Sequence, residues 1–261
     1  MKAVLSIAGS DSSGGAGIQA DIKTIAAHHL FAETVVTALT AQNTLGVAAV
    51  HDVPPDFIGA QIDAVFSDIR PDAVKVGMVS TVGAIEAIAQ GLSRWDASSI
   101  VVDPVMVATS GARLIDEGAL CALSELLLPR ASVITPNIPE AEVLAGASIE
   151  DERAAERAAR SLAERFGVAV LVKGGHGAHD ANDVLALPEG DTEWFRHAAV
   201  ETTNTHGTGC TLSSAIACGL ARGLSIPESV ARAKRYLTGA LQAGLNLGQG
   251  SGPVDHMWQN T

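Results

Sequence analysis

The sequence predicts a layered α/β fold around a mostly parallel sheet, and two observations carry that prediction. Short runs rich in Val, Ile, Leu and Ala alternate with longer stretches of helical periodicity over 261 residues. The apolar runs are continuous, which is typical of strands buried on both faces of a parallel sheet. Strand–helix–strand repetition with right-handed crossovers then places helices on both faces of that sheet.

Each element follows from this pattern in chain order. Six apolar runs are predicted to be strands, at 4–7, 34–38, 73–76, 100–102, 132–134 and 168–172. Eight helices are predicted at about 16–29, 55–67, 82–94, 117–127, 138–144, 151–166, 210–222 and 227–243. Two short runs at 182–187 and 193–198 flank Pro188-Glu189-Gly190-Asp191, which predicts a small antiparallel hairpin at one edge of the sheet.

Composition narrows the class of protein. The length suits one domain, predicted to span 1–261, because no Pro-, Gly- or Ser-rich linker divides the chain. Lys and Arg number 17 against 29 Asp and Glu, a formal net charge of −12, and the cations are scattered. Binding to nucleic acid is therefore not expected, since phosphate-backbone binding depends on clustered cations.

Location is predicted from cysteines and apolar runs. Three cysteines, Cys121, Cys210 and Cys218, are too few for a disulfide framework and lack zinc-site spacing, which favours a reducing cytoplasm. The apolar run at the N-terminus is too short for a signal peptide. No stretch has eighteen consecutive apolar residues, so no membrane association is expected.

Two glycine-rich segments precede predicted helices. The first, at 8–21, follows a buried strand and offers free N–H groups and a positive dipole end to a ligand, although a tight connection explains it equally well. The second predicts an anion-binding nest of successive N–H groups, formed by Gly207, Thr208, Gly209 and Cys210. An ordinary N-capped helix explains the threonine but not both glycines, which favours the anion site.

A third segment has two interpretations. Asn137 is placed to cap the helix at 138–144, and Glu140 is the third residue of that helix, so a structural capping box is one of them. The other is that Asn137 and Glu140 hold hydrated Mg²⁺ beside phosphates, because hard oxygen atoms are the ligands that this ion prefers.

Several other polar or ligand-type residues follow predicted strands. They are Gln42, Met78, Asp103 and Lys173. Because the carboxyl ends of parallel strands lie along one edge of a sheet, where ligands bind in open α/β folds, these residues are expected to converge.

Taken together, these segments resemble the hydroxymethylpyrimidine/phosphomethylpyrimidine kinase family of thiamine biosynthesis, within the ribokinase-like superfamily. Besides the block at 8–21, the motifs that match in order are Thr-Ala-Gln-Asn-Thr at 40–44, Lys-Val-Gly-Met at 75–78, Asp-Pro-Val-Met at 103–106, Thr-Pro-Asn at 135–137, Val-Lys-Gly-Gly-His at 172–176, His-Gly-Thr-Gly-Cys-Thr at 206–211 and Gly-Pro-Val at 252–254. The match covers nearly the whole chain. One departure from the wider superfamily is Cys210, where many members carry Asp.

The resemblance implies a ribokinase-like three-layer sandwich, usually a homodimer, that uses ATP and Mg²⁺. It implies phosphorylation of 4-amino-5-hydroxymethyl-2-methylpyrimidine to the monophosphate and then the diphosphate. The implied substrate-binding residues are Gln42, Asp21, Gly9, Met78 and Val105, with Gln42 hydrogen-bonding the aminopyrimidine edge. The implied catalytic residues are those of the nest, Gly207, Thr208, Gly209 and Cys210. Those implied near the nucleotide are Lys173, Asn137, Asp103 and Lys234, and Glu140 and Asn137 are implied near Mg²⁺, through water.

Cys210 is further expected to act as a base. A helix N-terminus lowers the pKa of a thiol from its usual 8.5 or so, which favours a thiolate beside the hydroxymethyl group. A thiol also has the option of staying neutral beside a phosphorylated acceptor, which a carboxylate does not.

Two alternative functions stay open at this stage. Pyridoxal kinase is a sibling with similar motifs and also phosphorylates a hydroxymethyl group on an aromatic ring. The second alternative is a non-catalytic ligand sensor on the same fold. Loss of the nest or of the Asn137–Glu140 pair would favour a sensor, and the sequence contains both. A dinucleotide oxidoreductase is disfavoured because the Gly-x-Gly-x-x-Gly pattern is absent.

Overall fold

A computed structural model of the chain describes residues 1–106, 115–174 and 181–260. Within them one sheet contains nine strands, β1 (Ala3–Asp11), β2 (Phe31–Asn43), β3 (Gly46–Asp52), β4 (Ala73–Val76), β5 (Ile100–Val102), β6 (Val133–Ile134), β7 (Ala169–Val172), β8 (Asp183–Ala186) and β9 (Thr192–Phe195). Their order across the sheet is β3-β2-β1-β4-β5-β6-β7-β8-β9. The six predicted strands pair in parallel from β2 to β7, whereas β3, β8 and β9 are antiparallel to their neighbours.

All eight predicted helices are present with small shifts of boundary. They are α1 (Gly17–Ala27), α2 (Pro55–Phe66), α3 (Val82–Arg94), α4 (Glu117–Ala122), α5 (Ile138–Ala145), α6 (Glu152–Phe166), α7 (Thr208–Ala221) and α8 (Ile226–Ala243). α4 continues as a π-helical turn to Leu127 and a 3₁₀ turn at Leu128–Arg130. None of the described helices is long and apolar enough to span a membrane.

The sheet lies between two helical layers, as predicted. One apolar cluster joins Leu5 and Ile7 of β1 to residues of α2 through α6, and a second joins Val4 of the same strand to α1, α7 and α8. Neighbouring residues of a strand point to opposite faces, so a continuous apolar run supplies both clusters. Each fully buried Leu or Ile side chain contributes roughly 1.5–3 kcal/mol, so the sheet and its two layers form a stable base for the loops at its edge.

One edge of the sheet differs from the prediction. The polar segment at 40–44 was predicted to follow the strand, but β2 includes its first four residues and ends at Asn43. The chain then turns and returns as the unpredicted strand β3. β3 and the end of β2 are largely exposed, so neither has the buried face from which a strand is recognised. The hairpin predicted at the opposite edge is confirmed as β8 and β9.

Candidate active site

The predicted convergence of polar residues at the carboxyl edge of the sheet is confirmed for β5, β6 and β7. Lys173, just after β7, places its Nζ 2.8 Å from Oδ1 of Asp103, which follows β5. Thr135, just after β6, donates its hydroxyl to the same oxygen over 2.9 Å. Burial opposes the charge on Lys173, but the carboxylates of Asp103 and Glu140 outweigh it and raise the lysine pKa. A mostly buried, charged ammonium therefore stands at this edge.

The capping interpretation of Asn137 and Glu140 is confirmed. Asn137 is the N-cap of α5, and its Oδ1 accepts the Glu140 N–H over 2.9 Å while Glu140 Oε2 accepts the Asn137 N–H over 2.8 Å. Glu140 Oε1 lies 3.4 Å from the N–H of Met106, which ties α5 to the segment after β5. Burial and the carboxylate of Asp103 raise the pKa of Glu140 to about 7, against the lowering effect of Lys173.

The segment predicted as an anion nest forms the first turn of α7. Gly207 is its N-cap with φ +81°, and a β-carbon on it would collide with the carbonyl oxygen of Gly15. The N–H groups of Gly209 and Cys210 have no acceptor among the described residues, and the N–H of Thr208 lies 3.4 Å from the carbonyl of Thr205. Free N–H groups at the positive end of a helix dipole are a favourable environment for an anion.

The nest lies directly against the ion pair at the sheet edge. A β-carbon built on Gly209 would stand 3.2 Å from Asp103 Oδ2 and 3.4 Å from Lys173 Nζ. An anion at the start of α7 therefore meets backbone N–H groups from one side and an ammonium from another. This combination suits a phosphate better than either group alone.

The expectation that the helix start lowers the pKa of Cys210 is wrong. Burial raises the pKa of this thiol to about 11, and Asp21 and Asp103 add to the rise, whereas Lys75 and the N–H of Gly17 act in the opposite direction. The cost of placing a thiolate in this enclosed position exceeds what the nearby cation and the N–H supply. Cys210 is therefore a neutral thiol at pH 7.

Asp21 does not line an open pocket, contrary to the expectation. It is fully buried, and its carboxylate is paired with Lys75 at 2.8 Å and accepts the hydroxyls of Ser6 and Ser214. These residues belong to α1, β4, β1 and α7 respectively, so the ion pair ties the four elements together. Sequence reasoning missed Lys75 in this role, because a lysine in a four-residue strand shows no sign of its distant partner.

Two of the residues predicted to bind the substrate, Gly9 and Met78, lie close together. A β-carbon on Gly9 would lie 3.2 Å from Met78 Cε, so these residues pack together where β1 and β4 end. The hydroxyl of Thr37 donates to the carbonyl of Met78 over 2.8 Å and fixes the segment. Val105 is half-buried, and its N–H donates to the Asp103 carbonyl over 2.8 Å. Its contact with substrate stays a prediction.

Gln42 borders a cavity of about 230 Å³ at the turn between β2 and β3. The cavity is lined by Gln42, Asn43, Thr44, Leu45, Gly46, His206, Gly250 and Ser251. Ser12 fixes the Gln42 backbone twice, because its Oγ donates to the carbonyl over 2.7 Å and accepts the N–H over 2.8 Å. The amide of Gln42 is thus presented to a cleft by a restrained backbone.

Sequence reasoning did not single out Asp11 and His206, which join the two glycine-rich segments. His206 Nε2 lies 2.8 Å from Asp11 Oδ2, and the same carboxylate accepts the N–H groups of Ser13, Gly15 and Ala16. Burial raises the pKa of Asp11, but these hydrogen bonds outweigh it and lower the pKa to about 2. The only available signal was an Asp two residues before Ser-Gly-Gly, a common turn arrangement.

Lys234 is directed at the connection between β7 and β8. Its Nζ pairs with Asp183 Oδ2 and donates to the carbonyl of Ala181, while Asp183 Oδ1 accepts the Gly174 N–H over 2.8 Å. The side chain is buried in this ion pair, so its contact with a nucleotide stays a prediction. Gly175 and His176, the end of the motif at 172–176, lie outside the described residues.

Comparison with known proteins agrees with this geometry. The sequence profile of the family described as phosphomethylpyrimidine kinase matches residues 11–255. A hydroxymethylpyrimidine/phosphomethylpyrimidine kinase of Rhizobium meliloti is 52% identical over 97% of this chain and 96% of its own length. The thiamine biosynthesis bifunctional protein ThiED of Geobacter sulfurreducens is 51% identical over 97% of this chain, which spans only 52% of that protein.

Among solved structures, a pyridoxal kinase of Bacillus subtilis in complex with ADP has a TM-score of 0.92 at 35% identity. The superposition covers 100% of this chain and 99% of that one. The three-layer fold is therefore shared over the whole length, whereas the sequence is closer to the pyrimidine kinase of Rhizobium meliloti.

Proposed function

This chain belongs to the phosphomethylpyrimidine kinase family, and we propose that the first turn of α7 is where it transfers phosphoryl groups from ATP. The acceptors are 4-amino-5-hydroxymethyl-2-methylpyrimidine and then its monophosphate, and the product is the diphosphate used in thiamine biosynthesis. One observation carries the proposal. The open start of α7, which includes Cys210, lies directly against the Asp103–Lys173 pair at the carboxyl edge of the sheet.

The geometry supports a mechanism based on positioning. Phosphoryl transfer passes through a loose transition state in which the protein mainly aligns groups and stabilises charge. The free N–H groups of Gly209 and Cys210 and the ammonium of Lys173 hold the transferring group. Gln42, Gly9 and Met78 hold the pyrimidine so that its hydroxymethyl oxygen faces the nest.

The neutral thiol of Cys210 fits both steps. In the first step it hydrogen-bonds the acceptor hydroxyl. The bond from phosphorus to ADP breaks as the bond to this oxygen forms, and the hydroxyl proton passes to an oxygen of the transferred phosphoryl group, because the loose transition state makes little demand on a strong base. In the second step the acceptor is a phosphate monoester with roughly −1.5 to −2 charges, and its oxygen needs no base. A neutral group does not repel this acceptor, whereas a carboxylate at the same position would.

Mg²⁺ fits the carboxylates at the sheet edge. Burial, and after it the neighbouring Asp103 carboxylate, raises the pKa of Glu140 even though Lys173 opposes the rise, and a further cation would favour the ionised form of this carboxylate. No set of three His, Cys, Asp or Glu side chains in the described ranges forms a metal cage. Glu140 and Asn137 would therefore hold the ion through water beside the phosphates, which is how Mg²⁺ usually binds. When bound, the ion neutralises phosphate charge.

Pyridoxal is the second candidate acceptor. The observation in its favour is the TM-score of 0.92 to the Bacillus subtilis pyridoxal kinase. Sequence identity favours the pyrimidine, at 52% for the Rhizobium meliloti enzyme against 35% for the pyridoxal kinase.

The proposal extends to a single-domain homodimer in the cytoplasm, where ATP is available. β3 is an edge strand, and the hairpin it forms with β2 exposes Leu39, Leu45 and Val50 by 51%, 63% and 44%. Exposed apolar side chains on an unpaired edge favour association with a second copy. Sedimentation velocity tests this, because a monomeric wild type, or a Leu39→Glu variant as dimeric as the wild type, contradicts an interface at the hairpin.

Variants of Cys210 test whether this site carries the reaction. The measurement is kcat/KM for each phosphorylation, in the wild type and in Cys210→Asp and Cys210→Ala. We expect Cys210→Asp to retain the first step better than the second, because its charge repels the monophosphate. We expect Cys210→Ala to slow the first step more than the second, because only a hydroxyl acceptor uses the thiol. A ratio of the two steps that is unchanged in both variants contradicts this role.

A further inference from the structure

The amide of Gln42 lies between two polar side chains whose hydrogens can be assigned. Thr40 Oγ1 is 3.1 Å from the Oε1 end of the amide, and His206 Nε2 is 3.5 Å from the Nε2 end. Thr40 Oγ1 is also 2.9 Å from the carbonyl oxygen of Ser10. The two ends of an amide have the same shape, so the hydrogen-bond partners decide which end faces which neighbour.

Each of the two neighbours makes a second contact, which shows where its hydrogen lies. His206 Nε2 is 2.8 Å from the carboxylate of Asp11, which is ionised and can only accept, so this nitrogen carries a hydrogen. The single hydroxyl hydrogen of Thr40 is used by the Ser10 carbonyl, which also can only accept. His206 therefore faces Gln42 with a nitrogen that carries a hydrogen, which it also directs at Asp11, and Thr40 faces Gln42 with a lone pair.

We infer that the buried Asp11–His206 pair, together with Thr40, turns the Gln42 amide so that its oxygen faces His206 and its NH₂ faces Thr40, which makes His206 a specificity-determining positioning residue for the pyrimidine. In the opposite orientation two N–H groups face each other across 3.5 Å, and the lone pair of Thr40 faces the oxygen of the amide across 3.1 Å, so like groups repel at both ends. The inference rests on the proposed function of the site.

This orientation has a consequence for recognition. Each end of the amide keeps one free group, a lone pair on the oxygen and a hydrogen on the nitrogen, beside the cavity that Gln42 and His206 line. An aminopyrimidine edge offers an amine donor next to a ring-nitrogen acceptor. It pairs with a fixed amide in one alignment, and a site built in this way rejects ligands that leave its polar groups unpaired.

The test is a double-mutant cycle read as binding affinity. Dissociation constants for the pyrimidine alcohol and for a non-hydrolysable ATP analogue are measured by calorimetry in the wild type, His206→Phe, Gln42→Leu and the double variant. We expect each single variant to weaken pyrimidine binding at least about tenfold, with the ATP analogue within about threefold. In the Gln42→Leu background, His206→Phe should cost less than about twofold more, because the amide it positions is gone.

Two further variants separate positioning from folding. His206→Gln keeps an N–H donor at a similar reach, and it should recover pyrimidine affinity to within about fivefold of the wild type. His256→Phe is the matched control, because His256 is as buried as His206 (3% and 4% exposed) and contacts Thr211 of α7. The fold-change that His256→Phe causes in the dissociation constant for the pyrimidine should be the same in the wild type and in the Gln42→Leu background.

Three results would overturn the inference. One is that His206→Phe weakens pyrimidine binding by the same factor with and without Gln42→Leu, as the control variant is expected to do. Another is that both His206 variants weaken the ATP analogue as much as the pyrimidine, which marks a structural role in the nest. The third is pyrimidine affinity unchanged by Gln42→Leu, which contradicts the proposed acceptor site as well. In the first two cases the proposed function is unaffected.

Discussion

At the scale of single residues, Gly207 and Gly209 are two positions apart but have different physical reasons to be glycine. Gly207 has φ +81° and no room for a β-carbon beside the carbonyl of Gly15. Gly209 has ordinary helical geometry, and a β-carbon there would enter the space between Asp103 and Lys173 without severe overlap. The first glycine is required by the backbone, and the second leaves open the space beside Asp103 and Lys173 where we propose that the transferring phosphoryl group binds.

Alanine at these positions should therefore give opposite phenotypes. Gly207→Ala is expected to lower the free energy of unfolding by about 2–4 kcal/mol, from left-handed backbone strain and overpacking. Gly209→Ala is expected to change it by less than about 1 kcal/mol and to lower kcat at least about tenfold. Urea unfolding and steady-state kinetics of both variants check this. Full activity in a stable Gly209→Ala enzyme contradicts phosphate binding at the nest.

Glu33 provides a prediction about pH. It is 8% exposed, its Oε2 has no hydrogen-bond partner among the described residues, and burial with Asp68 and Asp72 raises its pKa from 4.5 to about 7. The folded state then holds the proton more tightly than the unfolded state, so stability falls as the pH rises from 4.5 to 7.

The Glu33→Gln variant should not lose stability in this way as the pH rises, because its side chain does not ionise. Unfolding in urea at pH 5 and pH 8 should show the variant more stable than the wild type at pH 8, by about 1–3 kcal/mol, with a smaller difference at pH 5. Glu193→Gln, an exposed glutamate on β9, serves as the control and should follow the wild type. An equal effect of Glu33→Gln at both values of pH contradicts the assigned titration.

The sequence was informative about residues whose role depends on local geometry. The glycines of the nest and the cap at Asn137 follow from turn and helix-start rules that act within four residues. Asp11–His206 and Asp21–Lys75 join positions 195 and 54 residues apart, and no local pattern encodes such a pairing. The neutral state of Cys210 also escaped prediction, because it depends on burial by elements distant in the chain.

At the scale of elements, α5 and α8 begin with the same device. Asn137 and Glu140 form a capping box on α5, and Ser225 and Glu228 form one on α8. Only the first lies beside the Asp103–Lys173 pair. If substitutions of Glu140 and Glu228 affect the dependence on Mg²⁺ differently, the difference therefore comes from the position of Glu140 beside this ion pair and not from its role as a cap.

Substituting glutamine for the capping glutamate of each helix separates the role of the cap from a role in binding Mg²⁺. Gln still accepts at both caps, so Glu140→Gln and Glu228→Gln should each change the melting temperature by no more than a few degrees. Glu140→Gln should raise the Mg²⁺ concentration for half-maximal activity at least about fivefold, and Glu228→Gln should leave it unchanged. A large fall in melting temperature with an unmoved Mg²⁺ titration would show that Glu140 is only a cap.

Elements were predictable where they are buried. The six parallel strands have apolar faces on both sides, and α6 and α8 have a clear polar face, so periodicity locates them. β3 has no buried face, and its exposed Ala and Val residues carry no periodic signal. The cavity beside Gln42 was missed with this strand, because four of the residues that line it form the turn into β3.

At the scale of the whole molecule, the sheet explains why short segments far apart in the chain form one site. β1, β4, β5, β6 and β7 are adjacent and parallel, so the residues that follow them meet along one edge. α7 then places its first turn against that edge. The central claim is that this one site phosphorylates a pyrimidine alcohol and then its monophosphate.

The most direct test is a product-resolved assay with ATP and Mg²⁺, in which the pyrimidine alcohol, its monophosphate and pyridoxal are compared as acceptors. We expect two molecules of ADP per molecule of alcohol at completion, with the monophosphate appearing first and then being consumed. We also expect kcat/KM for pyridoxal to be below that for the alcohol. A reaction that stops after one ADP, or one that prefers pyridoxal, contradicts the account.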